Sequence, residues 1–342
     1  MKTFKLLLIL SLWGFISSLS AQTPDLYIRT GFRKFEQGDT AGSFLYLNKA
    51  ILLDPQSPKG WLERGRLYSF ANNLQSAFRD LDTAILKDPK YSPTYLLRAH
   101  LYEKIGQQEL AVRDISRYIL SNPRDIDGYT YKINLWVALN SDRSVLLTAD
   151  DLVNNNTDLG VAWKIRAQLR EKYKDPIGAI SDYDKALTLL KNDSICLHRL
   201  SILCFESGDM KNTVLASTNF LNLYPNHAEL WFNLSEAQAS LQDTLGSLNT
   251  LRKAVRVFPG EALLWFTKGY YELIKGDWNV AVQDFSTTLL LNFEEKNLAH
   301  FNRGLALLYL KKNQEACADF TIASTGTPAV TEASEYLLKY CK

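Results

Sequence analysis

Residues 58–91 read PKGWLERGRLYSFANNLQSAFRDLDTAILKDPKY, and this stretch decides the fold. Large and small apolar residues recur at helical spacing from Trp61 to Tyr68 and again from Ala77 to Ala84. Two such runs, each too short for more than three or four turns, predict two short helices. Pro89 ends the second, because a proline ring cannot continue a helix and restricts the residue before it.

The pattern repeats along the chain. Pro55, Pro89 and Pro123 are 34 residues apart, Pro225 lies 102 further on, and Pro259 another 34. Tryptophan keeps the same ruler: Trp61, Trp163, Trp231 and Trp265 are separated by 102, 68 and 34. Two residue types locked to one period predict a repeat architecture in place of the two or three globular domains that 342 residues would otherwise suggest. With the closing proline at position 32, repeats begin near residues 24, 58, 92, 126, 160, 194, 228, 262 and 297. Position 4 is usually large (Tyr27, Trp61, Tyr95, Tyr129, Trp163, Trp231, Trp265), whereas positions 8 and 20 are small, as in Gly65 with Ala77 and Gly269 with Ala281. Turn residues such as Ser207-Gly208-Asp209 and Lys275-Gly276-Asp277 separate the two helical runs. Each unit therefore reads as an antiparallel helix pair, its small residues allowing close approach.

Trp61, Gly65, Tyr68, Ala77, Leu81, Ala84 and Pro89 together resemble the signature of the tetratricopeptide-repeat (TPR) family. The resemblance extends over residues 24–328 and implies an all-α, right-handed superhelical solenoid of antiparallel helix pairs with period 34. It is weakest at repeat four, with Ile133, Val145, Leu152 and Thr157 at signature positions, and at repeat six, with Cys204, Thr213, Ser217 and Phe220. Helices are still expected there. The organisation is then a signal peptide over 1–21, nine TPR-like repeats over 22–328, and a capping helix over 329–342 with Val330, Ala333, Tyr336, Leu337 and Tyr340 as its apolar stripe.

The N-terminus carries Lys2 and Lys5, then the apolar run Leu6–Ile16, then small residues to Ala21. This is the layout of a secretory signal, with cleavage expected after Ala21, and its run is too short for the roughly 20 residues of a membrane-spanning helix. The expected destination is the bacterial periplasm or cell envelope, with no membrane insertion of the mature form. Lys+Arg against Asp+Glu is 39 to 37, and loss of Lys2 and Lys5 leaves no net charge. A neutral chain has no excess of cations for phosphates, so nucleic acid is not expected as a partner. With 46% apolar and 22% charged residues the chain is neither disordered nor low-complexity.

No phosphate-binding glycine loop, nucleophile elbow or zinc-protease motif is present, and the four histidines, spread over repeats three, six and nine, do not read as one metal site. No cofactor, metal site or enzymatic activity is expected. Acidic residues read as scattered over exposed helix faces. Three Asn-x-Ser/Thr triplets, at Asn155, Asn192 and Asn233, read as chance.

The TPR resemblance implies that positions 2, 5, 9 and 12 of each first helix line a groove. Position 9 gives a polar row of Arg66, His100, Asn134 and Gln168 in the N-terminal part. Toward the C-terminus, position 5 gives Phe232, Phe266 and Phe301, with Tyr270 at position 9. This predicts a non-catalytic scaffold that binds a peptide or partner helix of other proteins, polar at one end and aromatic at the other. The competing packing role for the aromatic row stays open. Docking to an envelope complex is compatible with the same features. An alternative, a hydrolase of the cysteine-rich helix-pair repeat type, would need paired cysteines in each repeat, and the chain has four in all.

Export implies an oxidising compartment. Cys196 and Cys204 lie eight residues apart on one predicted helix, about 12 Å, too far to bond. Cys317 and Cys341 lie on antiparallel elements with an axial mismatch of roughly 6 Å. A Cys317–Cys341 disulfide stapling the cap is therefore expected.

Overall fold

A computed structural model describes residues 23–291 and 293–341. The expected signal peptide over 1–21 lies outside them. Among the described residues the elements are nineteen α-helices in nine pairs plus one. The pairs are α1 Pro24–Glu36 with α2 Thr40–Leu53, α3 Pro58–Phe70 with α4 Leu74–Lys87, α5 Pro93–Lys104 with α6 Gln108–Ser121, and α7 Ile126–Ala138 with α8 Asp142–Asn155. They continue as α9 Gly160–Lys172 with α10 Pro176–Leu190, α11 Ser194–Glu206 with α12 Met210–Leu223, and α13 Ala228–Ser240 with α14 Thr244–Val257. The last are α15 Ala262–Lys275 with α16 Trp278–Leu290, α17 Lys296–Tyr309 with α18 Asn313–Thr325, and the closing helix α19 Thr331–Tyr340. The first helices start at or within one residue of the repeat starts that the prolines set.

The chain divides into two compact units, residues 1–157 and 158–342. Within each, a first helix packs on its own second helix, and that second helix packs on the next first helix. In the first unit, Leu62, Ala77, Leu81 and Leu101 are buried together under Tyr68 and Phe78. In the second, Leu230, Trp231, Leu251 and Leu264 form one buried cluster, and Ala167, Ala179, Tyr183 and Cys204 another.

The small residues act as their positions suggest. A methyl group added at Gly65 would sit 3.2 Å from Leu81 Cγ and 3.3 Å from the Ala77 carbonyl oxygen. At Gly304 it would meet the Phe320 ring at 2.7 Å. These helix pairs are in contact through backbone on one side. The weaker repeats close by other means: Val145 and Leu152 are fully buried in repeat four, and Ser201 and Ser217 hydrogen-bond across repeat six.

The turn inside each pair has one recurrent feature. Gly38, Asn72, Gly106, Asn140, Lys174, Gly208, Gln242, Gly276 and Lys311 all have φ between 51° and 94°, the left-handed region. All nine occupy position 15. Glycine, which has no Cβ to clash there, fills four of them. The following residue often caps the second helix, as when Asp39 accepts from the Gly42 amide and Asp243 from the Gly246 amide.

The acidic residues correct the sequence reading. Asp80, Asp114, Asp182, Asp284 and Asp319, at position 23 of five repeats, are 1–3% exposed. Each faces a cation at position 7: Arg64, Arg98, Arg166, Lys268 and Arg303. The arginines are bidentate, as with Arg98 Nε and Nη2 at 2.6 and 2.9 Å from Asp114. These carboxylates tie the two helices of a repeat together and are not solvated.

Candidate cleft on the first helices of repeats seven to nine

Of the polar row expected in the N-terminal part, Arg66, His100 and Asn134 belong to the first unit and Gln168 to the second. Arg66 is held by Glu63 at 2.9 Å. His100 stacks on Tyr131, ring centroids 4.4 Å apart, while the Tyr131 hydroxyl donates to Glu103. Burial lowers the His100 imidazole below its ordinary pKa. Asn134 is exposed in the first unit, and Gln168 is exposed in the second. The first unit also exposes aromatic surface at its N-terminal end, where Phe35 stacks on Phe70, which is 64% exposed.

The C-terminal aromatic residues separate into two groups. Phe232 on α13 and Phe266 and Tyr270 on α15 line one cleft, about 330 Å³, together with Glu236, Leu263 and Tyr271. Leu298 and Asn302 of α17 close its far side. Phe301 does not line it. Its ring packs on Phe320 at 5.9 Å and edge-on to Tyr336 at 5.7 Å, so it belongs to the core under the closing helix. Its position 5 is equivalent to that of Phe266, but α19 covers it.

Within the cleft the residues differ in role. Phe266 is partly structural, stacked on Phe293 at 4.9 Å and tilted against Phe285. Tyr270 and Leu263 are 43% and 40% exposed, which leaves them as contact surface. Glu236 has no counterpart in the sequence pattern. It is half-buried and accepts a hydrogen bond of 2.9 Å from the Tyr271 hydroxyl, which reaches across from the next first helix. Burial holds its carboxyl above the ordinary glutamate range, and the Tyr271 bond only partly offsets this. Burial also raises the Tyr271 hydroxyl pKa, so it remains the donor.

A second recess of about 390 Å³ shares Leu263 and Phe266 as a common wall and adds Phe293 with Glu261, Glu294 and Glu295. A third, about 640 Å³, lies among α10, α11 and α12 and is lined in part by Leu187, Leu197, Leu200, Leu215 and Asn219. Repeat six has Leu200 and Ala216 where five repeats have the cation and its aspartate, and these short apolar side chains leave that space open.

Cys317 and Cys341 are joined by a disulfide with Cα atoms 5.7 Å apart, linking α18 to the end of α19. Cys196 and Cys204 are free and buried. Burial pushes their thiols up to about 12 and about 11, so neither is poised as a thiolate nucleophile. The described residues contain no group of three metal-ligating side chains, and no helix among them is long and apolar enough to cross a membrane.

The helix pairs, their 34-residue spacing and the packing of Gly65 on Ala77 and Leu81 fix the repeat type. The fold is that of a tetratricopeptide-repeat protein. No family model matches the chain. Protein FlbA of Caulobacter vibrioides is 28% identical over 179 residues, 52% of this chain. The match spans 30% of the length of FlbA. Among solved structures, MamA is 20% identical, covers 53% of this chain and 94% of its own, and has a TM-score of 0.45. A tetratricopeptide repeat protein from Parabacteroides merdae is 16% identical, covering 74% of this chain and 99% of its own, with a TM-score of 0.39.

Proposed function

We propose that this chain is a non-catalytic scaffold that holds an extended peptide of a partner protein in the cleft of repeats seven to nine, and that it works after export, in the periplasm or cell envelope. The observation that carries the reading is the exposed apolar surface of Leu263 and Tyr270, set in a cleft whose walls come from three successive first helices. A recess bounded by several helices, apolar in its walls and with few polar groups, is suited to a side chain and the backbone beside it. The basic N-terminus, the apolar run Leu6–Ile16 and Ala21 support export.

The test is selection of a random dodecapeptide library on the full chain, repeated with Leu263→Ala/Tyr270→Ala. Both side chains are exposed, so the double variant should keep its helicity. Peptides bound by the parent and lost by the variant support the reading. Equal capture by both would overturn it. Fractionation of cells expressing the chain, with N-terminal sequencing of the product, tests export: a cytoplasmic product retaining Met1 would refute it.

A further inference from the structure

The buried carboxylates of this chain follow a rule. Asp80, Asp114, Asp182, Asp284 and Asp319 each face an arginine or lysine of the same repeat. Glu272, fully buried, takes Arg252 at 2.7 Å. A desolvated carboxylate without such a partner is costly, which is why they are paired. Glu236 lies between these buried carboxylates and the solvated ones. It is half-buried among the side chains of α13 and α15, its bond is to the neutral Tyr271 hydroxyl, and no cation of the described residues pairs with it.

The surroundings of Glu236 have the same sign. The side chains lining its cleft and the adjoining recess include Glu236, Glu261, Glu294 and Glu295, and neither lining contains Lys, Arg or His. The walls beside Glu236 are the rings of Phe232, Tyr270 and Tyr271. Aromatic faces attract a cation through their quadrupole, and their apolar surface accepts the methylene stem of a long basic side chain. Carboxylate, rings and negative surroundings thus specify one kind of visitor.

We infer that the cleft takes a lysine or arginine side chain of the partner peptide, its cationic head on Glu236 and its stem against Phe232 and Tyr270. The inference rests on the peptide-binding reading above and narrows it. The ligand supplies the cation that the chain gives to its buried carboxylates, and an apolar residue of the same peptide covers Leu263 and Phe266. An acidic peptide would be repelled by all four glutamates.

The experiment uses the selected dodecapeptides. Alignment of those that depend on Leu263 and Tyr270 should show Lys or Arg at one position. A synthetic peptide carrying that residue should bind Glu236→Gln at least tenfold more weakly than the parent, while its analogue with Gln at that position binds both proteins equally. Glu236→Gln keeps the acceptor for Tyr271, and circular dichroism checks that it is folded. Peptides that depend on Leu263 and Tyr270 but show no basic position, or an affinity unchanged by Glu236→Gln, would overturn this inference and leave the cleft as a peptide site. Absence of any peptide that depends on Leu263 and Tyr270 would overturn both.

Discussion

The indole Nε1–H of Trp231 donates to the carbonyl oxygen of Pro225, six residues earlier, at 2.8 Å. The same bond joins Trp61 to Pro55, Trp265 to Pro259 and, through a phenol hydroxyl, Tyr95 to Pro89. Proline ends one repeat and cannot donate, and its carbonyl is taken by the first large side chain of the next. The two residue types that share the 34-residue period are two halves of one joint. Trp231→Phe keeps the ring but leaves the Pro225 carbonyl without this donor. A loss of about 1–2 kcal/mol is expected, most of it local to α12–α13, read as faster amide exchange there.

The position 7–position 23 ion pairs should behave as buried charges. Arg98 and Asp114 have side chains 14% and 2% exposed. Arg98→Met strands Asp114 and should cost about 3–5 kcal/mol. Arg98→Met/Asp114→Leu removes both charges and should cost distinctly less than the single variant. Amide exchange in α5 and α6 measures both. A double variant as unstable as the single one would show that the pair contributes more than it costs to bury.

Position 15 offers a test of backbone strain. Gln242 is held at φ 65° where four other repeats place glycine. Gln242→Gly should stabilise by about 0.5–1 kcal/mol, and Gly208→Ala, at φ 79°, should destabilise by about 1 kcal/mol. Thermal melts of the two variants against the parent decide it. Shifts of the same sign would contradict the account.

Much of the helix pairing was legible because Pro, Trp, Gly and Ala each report a backbone event: a helix end, a joint, a close approach. The ion pairs are legible only through the repeat register. Arg64 and Asp80 are 16 residues apart across a turn, so they share no local helical face. Only their common register across repeats two, three, five, eight and nine reveals them. Phe301 and Phe266 occupy the same repeat position, and the sequence does not distinguish them. What separates them is the closing helix, whose Tyr336 lies against Phe301. Glu236 carried no signal of its own, because its burial depends on how α13 and α15 stand side by side and on a hydroxyl 35 residues away.

Glu236 also predicts a pH dependence. Its carboxyl pKa is raised in the folded chain, chiefly by burial. A raised value means that the folded chain holds the proton more tightly than the unfolded chain. The stability this contributes is complete below the unfolded value of roughly 4.3 and is lost as pH rises through the folded value. Glu236→Gln stays neutral throughout. Its melting temperature should therefore exceed that of the parent at pH 7.5, with the gap closing by pH 4. A constant gap over that range would show that the carboxylate is not desolvated.

The last prediction concerns the closing helix. α19 is held by Ala333, which is fully buried, by Tyr336 and Leu337 against Phe320, and by the Cys317–Cys341 bond. A ten-residue helix is marginal on its own, so its order depends on docking and on the disulfide. The bond spans a sequence separation of 24, and the entropy of closing such a loop corresponds to about 3 kcal/mol. Cys341→Ser should release α19 and expose Phe301, Phe320 and Tyr336, seen as dye binding and as lost amide protection in α18. Protection in α9 and α10 should be unchanged, since repeat stability passes between neighbours. Reduction of the parent by dithiothreitol should reproduce the effect and leave Cys341→Ser unaltered. If α18 keeps its protection in both, packing alone holds the cap and the disulfide is dispensable.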